Sequence, residues 1–263
     1  IAALGLIDDI KALPWQPKLA VQFLVAMALV AGGVQATVFA AAPWIGWIIT
    51  VVWIVTLTNA FNFLDNMDGL SGGLAMIAAM MFACIMLTGT SQPRWFVAGS
   101  LLIVAGSTAG FLVHNWPPAK IFMGDTGSCM LGTLLASFTV VGTFYEYHTS
   151  RPYVVLAPLC VLAVPFYDFI TVIWIRLRQG RSPFHADKCH FSHRLVELGL
   201  SRKHAVMTIH LLAITTGLAG LLLYQVRDIT GAILVAAIVA CSLAVIGILE
   251  TAGRRALKRA APP

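Results

Sequence analysis

Apolar residues in this chain fall in runs of about 20 separated by short polar stretches, and a run of that length crosses roughly 30 Å of hydrocarbon as a helix. The runs cover Leu19–Ala40, Trp44–Ala60, Leu70–Leu87, Trp95–Val113, Gly127–Phe144, Tyr153–Ile175, Ala205–Tyr224 and Ile229–Leu249. Ile1–Ile7 reads as the end of an earlier span. The pattern predicts an all-α fold, a polytopic integral membrane helical bundle with about eight complete transmembrane helices. No internal repeat, low-complexity tract or linker divides the runs, so residues 1–263 are expected to form a single transmembrane domain. The chain opens at Ile1 without a Met, a charged leader or a cleavage site, and is expected to be N-terminally incomplete.

Alternating spans assign each loop to one of two sides, and basic residues test the assignment because cytoplasmic loops are enriched in Lys and Arg. One side holds Lys11, Lys18, Lys120, Arg176, Arg178, Arg181, Lys188, Arg194, Arg202, Lys203, Arg254, Arg255, Lys258 and Arg259; the other holds only Arg94, Arg151 and Arg227. The richer side is the cytosolic one. Asp8, Asp9, Asp65, Asp68, Asp125 and Asp187 fall there too, in loops far apart in sequence, with only Asp228 opposite. Avoidance of the bilayer centre alone would populate both faces, so a one-sided acidic set points to a site. Asp168 lies inside the sixth span, about 12 Å from Arg176 by helical rise, and leans to the same side.

Composition agrees with the membrane reading. Hydrophobic residues make up 59% and charged residues 11%, against roughly 25% charged in ordinary soluble domains, and mean hydropathy is +0.86. A water-soluble fold is excluded. The net charge of +6 and pI near 9.3 come without basic stretches interleaved with aromatics, so basic loops beside a bilayer account for them and nucleic acid is not an expected partner. Cys84, Cys129, Cys160, Cys189 and Cys241 contain no CxxC pair and read as buried core residues.

Four polar segments carry candidate chemistry. In Gly5-Leu6-Ile7-Asp8-Asp9-Ile10-Lys11, the two carboxylates are neighbours about 100° apart on a helix, so they serve different jobs. The run Asn59 to Leu70 holds Asn59, Asn62, Asp65 and Asp68 with no basic residue; i, i+3 spacing puts Asn59 with Asn62 and Asp65 with Asp68 on shared faces. In Asn115 to Ser128, Asp125 sits between glycines just before a helix, where backbone can approach an anion or metal. The loop Pro183 to Leu195 carries His185, His190, His193 and Arg194, suited to diphosphate oxygens, while the intervening Glu of a helical zinc site is absent. Each segment also has a plain reading, as helix-end charges, polar turn, helix cap or headgroup-facing loop. His114, His148 and His210 read as packing or interfacial. Together the segments ask for a hard divalent cation, because Mg²⁺ takes one or two carboxylates or amide oxygens and completes its shell with substrate phosphates.

These four motifs, in this order, resemble the polyprenyl-phosphate N-acetylhexosamine-1-phosphate transferases, from GLIDDIKAL near the start through the HxxH loop. That family has about ten or eleven helices, so the resemblance implies about three leading helices outside this chain and a catalytic role for the domain. It implies transfer of a sugar 1-phosphate from a UDP-sugar to a polyprenyl phosphate, such as undecaprenyl phosphate, at the cytosolic face of the inner membrane, releasing UMP. Mg²⁺ is the implied cofactor, with Mn²⁺ as a substitute. By position, Asp125 would be a catalytic metal ligand with Asn62 as the second. Asp8 and Asp9 would lie by the reacting phosphates, Asp8 deprotonating or orienting the lipid phosphate, unless an aspartate acts covalently. Phe122 would stack on uracil, with Asp68 and Asn115 reading its edge. His190, His193 and Arg194 would bind the diphosphate or sugar, with Asn59, Asp65 and Lys120 also placed as substrate-binding. The DKCHFSHRL stretch resembles the N-acetylglucosamine branch that starts teichoic acid, O-antigen or related polymers. A homodimer is left open. Two departures stand out: the usual Asp-Gly-x-Asp-Gly is Asp65-Asn66-Met67-Asp68-Gly69, and the usual His-x-His-His is His190-Phe191-Ser192-His193. The competing readings are a phospho-N-acetylmuramoyl-pentapeptide transferase and, from another class, a cation-coupled transporter, which would place its carboxylates nearer the midplane.

Overall fold

The computed structural model describes residues 1–36, 43–89, 92–142, 152–184, 187 and 189–260, with side chains to residue 253. Every element among them is helical: α1 (Ala2–Ile10), α2 (Trp15–Ala31), α3 (Pro43–Leu64), α4 (Leu70–Thr88), α5 (Trp95–Asn115), α6 (Gly124–Gly142), a 3₁₀ turn (Pro152–Leu156), α7 (Ala157–Val161), α8 (Ala163–Arg178), α9 (Phe191–Glu197), α10 (Arg202–Leu222) and α11 (Ile229–Ala260). The chain is a polytopic all-α membrane bundle.

Each of the eight predicted spans has a helical counterpart, but they are not equivalent. Among the described residues, α3, α4, α5, α10 and α11 are each long and apolar enough to cross a membrane. The sixth predicted span is a pair, 152–161 and 163–178, bent by 68°. Pro165 explains the break: it lacks the N–H that would bond to Val161, and its ring crowds that carbonyl. The apolar helix α2 has 17 residues and ends at Ala31, whereas the predicted ends at Ala40 and Phe144 lie outside the described residues, as do His148, Arg151, His185 and Lys188.

α6 is less apolar because much of it faces protein. Gly132 packs so tightly on α3 that a Cβ there would meet the Leu57 carbonyl oxygen at 2.6 Å. One residue further along each helix, the Thr58 and Thr133 hydroxyls share a hydrogen bond of 2.8 Å across the seam, a small-residue and hydroxyl interface typical of membrane helices. α4 is the central helix, with 67% of its most apolar window buried, against 17% for α11 on the periphery. Cys129 and Cys160 are buried as expected, but Cys84 and Cys241 are exposed on the bundle exterior, where an apolar thiol can face lipid as readily as core.

Candidate functional site

α1 stops where its two aspartates take up separate tasks. Gly5 lets α1 lie directly on the start of α6, where a Cβ would come within 2.5 Å of the Thr126 backbone. Asp9 then accepts hydrogen bonds from the Asp125 N–H (2.8 Å), the Thr126 N–H (3.1 Å) and the Thr126 hydroxyl (2.6 Å). It caps α6 from a different helix, meeting orphan donors at the positive end of the helix dipole. Burial works against its ionisation, but the bonds from Thr126 and Asp125 prevail and hold its carboxyl below the usual range. Gly124 makes the approach feasible with φ of +64° and a missing Cβ that would sit 2.7 Å from Asp9 Oδ2.

Asp8 points the other way. Its carboxylate accepts from the Leu13 N–H at 2.6 Å and from Lys18 Nζ at 2.7 Å. Lys18 reaches Asp125 Oδ2 at 3.2 Å as well, so one ammonium bridges carboxylates 117 residues apart. Asn62 donates to Asp125 Oδ1 at 2.8 Å and to Ser128 Oγ at 3.2 Å, tying the end of α3 to the start of α6. Burial opposes the charge on Asp8, but hydrogen bonds with Asp125, Lys18 and Leu13 bring it down to about 2. Asp125 moves up, through burial and its neighbour Asp8, with Asn62 and Lys18 opposing. Asp65, just past α3, is pushed up to about 7 by burial and then by the Asp125 and Asp9 charges, with the Gly124 N–H opposing.

These groups form one wall of a cavity of about 270 Å³ lined by Lys18, Gln22, Asn59, Asn62, Asp65, Asn66 and Asp125 on one side and Arg176, Asp187 and His190 on the other. Loops that the topology assigned to one face thus share a single chamber. The second wall is rigidly built. Asp168, fully buried, accepts from His190 Nδ1 at 2.9 Å and from the Phe191 N–H at 2.5 Å, which caps α9 and fixes the imidazole. Arg176 pairs with Asp187 at 3.1 Å, donates to the Pro183 carbonyl and lies 4.9 Å from the centre of the Phe63 ring. Burial opposes ionisation of Asp187, and the Arg176 bond outweighs it, bringing the carboxyl to about 2. At the rim, Trp15 and Phe184 stack with ring centroids 4.1 Å apart.

Asp8, Asp9, Asp125, Asn62, Asn59, Asp65 and His190 therefore come together. Asn59 donates to Gln22 and to the Val55 carbonyl as it lines the chamber. The expected nucleotide group sits elsewhere. Asp68 accepts from the Ala119 N–H at 3.0 Å, and Asn115 accepts from Gly69 N–H while donating to the Ile121 carbonyl, each at 2.8 Å. Both brace the loop leading to Asp125 and do not line the chamber. Lys120 and Phe122 on that loop are exposed, Phe122 by 78%. His193 is half-buried beside His190, with ring centroids 6.5 Å apart.

Arg194, expected at the diphosphate, is 2% exposed and turned away from the chamber. It donates to the Cys189 carbonyl and to Thr171 Oγ1 and pairs with Glu250 of α11 at 3.1 Å. Sequence reasoning passed over Glu250, Gln22 and the site roles of Lys18 and Arg176. A lysine at a span end has the same pattern whether it snorkels to the interface or bridges carboxylates, so its position carried no signal.

The sequence profile described as glycosyl transferase family 4 matches residues 1–143. The chain is 34% identical over 232 residues to the probable undecaprenyl-phosphate N-acetylglucosaminyl 1-phosphate transferase of Bacillus subtilis, covering 85% of this chain and 63% of the relative. It is 35% identical over 272 residues to the decaprenyl-phosphate N-acetylglucosaminephosphotransferase of Mycobacterium leprae, covering 94% and 68%. A Yersinia pestis undecaprenyl-phosphate alpha-N-acetylglucosaminyl 1-phosphate transferase is 28% identical over 231 residues, covering 83% and 62%. The chain spans about two thirds of the length of these relatives.

Proposed function

We propose, from the premise that this chain belongs to glycosyl transferase family 4, that it transfers N-acetylglucosamine 1-phosphate from UDP-N-acetylglucosamine to a polyprenyl phosphate such as undecaprenyl phosphate. An oxygen of the lipid phosphate attacks the phosphorus that bears the sugar, the bond to the other phosphate breaks, and UMP leaves. The reaction belongs at the cytosolic face of the inner membrane, the side to which the topology assigns the acidic loops, as the first step of cell-envelope polysaccharide assembly. The observation that carries the reading is the chamber itself, in which Asp65 and Asp125, with Lys18 held by Asp8 and Asp125, face Arg176 and His190 across a gap fit for phosphates.

Mg²⁺ fits the acidic wall. Lys18 is the ammonium that bridges Asp8 and Asp125, and the upward displacement of Asp65 and Asp125 comes first from burial and then from their carboxylate neighbours, Asp125 and Asp9 for Asp65 and Asp8 for Asp125. Mg²⁺ is commonly bound by one or two carboxylates plus substrate phosphates, so a pair of carboxylates is enough protein ligand for it. Asp125 and Asp8 would hold it. Asn62 turns its NH₂ toward Asp125, which orients that carboxylate. When bound, the ion would neutralise phosphate charge and polarise the phosphoryl group.

The protein's own groups do the rest. Asp8, at about 2, is an anion at neutral pH and a weak base, and a phosphate monoester with a second pKa of about 6 is already mostly dianionic. Asp8 therefore acts by orienting Lys18, whose ammonium can pair with the lipid phosphate. Arg176 and His190 supply positive or donor groups to the diphosphate from the opposite wall, His190 held by Asp168 so that Nε2 is its remaining ring nitrogen. The names of the relatives favour N-acetylglucosamine over a muramoyl-pentapeptide donor. The test is transfer of radiolabelled sugar phosphate to polyprenyl phosphate by membranes carrying the full-length protein, with a panel of UDP-sugars. Lipid-linked label from UDP-N-acetylglucosamine with release of UMP is expected; label from the peptidyl donor alone, or from none, overturns the assignment.

A further inference from the structure

The two positions at which this chain departs from the family pattern, Asn66 and Ser192, lie 126 residues apart in sequence and touch each other. Ser192 Oγ donates to Asn66 Oδ1 at 2.5 Å. Asn66 in turn donates through Nδ2 to the Phe63 carbonyl at 2.6 Å, fixing the turn that leaves α3. Phe63 closes the circuit, its ring meeting His190 edge-on at 5.6 Å. Asn66 lines the chamber next to Asp65, and Ser192 stands two residues beyond His190 in the first turn of α9.

We propose that Asn66 and Ser192 form a positioning strut that sets the spacing between the acidic wall and the His190 wall and so tunes which sugar the chamber accepts. This rests on the proposed transferase reading. The physical argument is enclosure. Ser192 is 1% exposed, so its hydroxyl has no water to exchange with, and the bond to Asn66 is its link to the opposite wall. A side chain as large as imidazole at position 192 would need space that Asn66 now occupies. Glycine at position 66 would vacate that space but release the Phe63 turn. The two departures are therefore one interdependent feature, and neither residue supplies an acid, base or charge to the reaction.

The experiment is a double-mutant cycle in the full-length protein with N66G, S192H and N66G/S192H, joined by the milder S192A. Each single change of the cycle is expected to lower kcat/KM for UDP-N-acetylglucosamine by about 10-fold or more, the scale of one buried hydrogen bond or a steric conflict, while the double variant recovers most of that loss. S192A is expected to raise the donor KM with kcat nearly kept and to change the ratio of kcat/KM between UDP-N-acetylglucosamine and its 4-epimer, a readout that simple loss of stability would not move. The same cycle read by thermal unfolding in detergent needs no turnover, so it tests the strut even if no UDP-sugar is a donor. Additive effects in unfolding, or S192H alone behaving as wild type, would overturn the strut; an unchanged donor ratio in S192A would overturn its part in specificity.

Discussion

Replacing Asp65 with Asn should stabilise the protein at alkaline pH while impairing the site. Asp65 moves from 3.8 to about 7 because it is buried beside the Asp125 and Asp9 charges. The folded protein therefore holds a proton that the unfolded chain has lost, and stability falls as pH climbs through this window. A rise of about 3 units corresponds to about 4 kcal/mol in all, of which about 2 kcal/mol is lost between pH 5.5 and pH 8. Asn has nearly the same shape and cannot ionise, so Asp65→Asn removes that loss. The assay is thermal unfolding of detergent-purified wild type and variant in chelator across this pH range. Subtracting one curve from the other cancels any fixed cost of the substitution. The stability difference should shift in the variant's favour by about 2 kcal/mol, or several degrees in a chain of this size, as pH rises. Adding Mg²⁺ should shrink the gap, since a cation at the acidic wall relieves the same repulsion. Parallel curves with and without the carboxylate would refute the assignment of Asp65 as a strained, charge-crowded group.

Asp125→Asn is expected to abolish Mg²⁺-dependent release of UMP in membranes; turnover at the wild-type rate would exclude Asp125 from the metal site. His190→Ala should cost about 100-fold in kcat, and Asp168→Asn about 10- to 100-fold, because the latter frees the ring that the former removes. His193→Ala and Ser192→Ala should each cost less than His190→Ala, and equal, negligible losses in all of these would reduce α9 to a surface feature. Arg194→Ala should destabilise by about 3–5 kcal/mol by stranding Glu250 in a buried setting, while the apolar pair Arg194→Met with Glu250→Met should recover much of it. A stable Arg194→Ala protein with a raised donor KM would instead return Arg194 to the diphosphate.

The bundle was legible in the sequence because lipid imposes a coarse, one-dimensional rule: a span needs about 20 apolar residues whatever it packs against. Basic-residue asymmetry then put Asp8, Asp65, Asp125 and His190 at one end of the bundle before any contact was known. The adjacent aspartates could be given different jobs from helical geometry alone. What sequence could not decide was direction and partnership. Arg194 and Arg176 both belong to the basic set that loop counting placed on one side, yet one turns outward to Glu250 on the last helix and the other faces the chamber. Lys18 looked like an interface marker and bridges two carboxylates. Asp68 and Asn115 looked like ligand readers and brace a loop. Tyr153–Ile175 read as one span, and the 68° bend before α8 came only with the packed structure. Hydropathy reports how much surface a segment must hide from water, and that quantity belongs to the segment itself. Which polar atom meets which depends on side-chain directions from helices distant in sequence, and only the assembled bundle determines those.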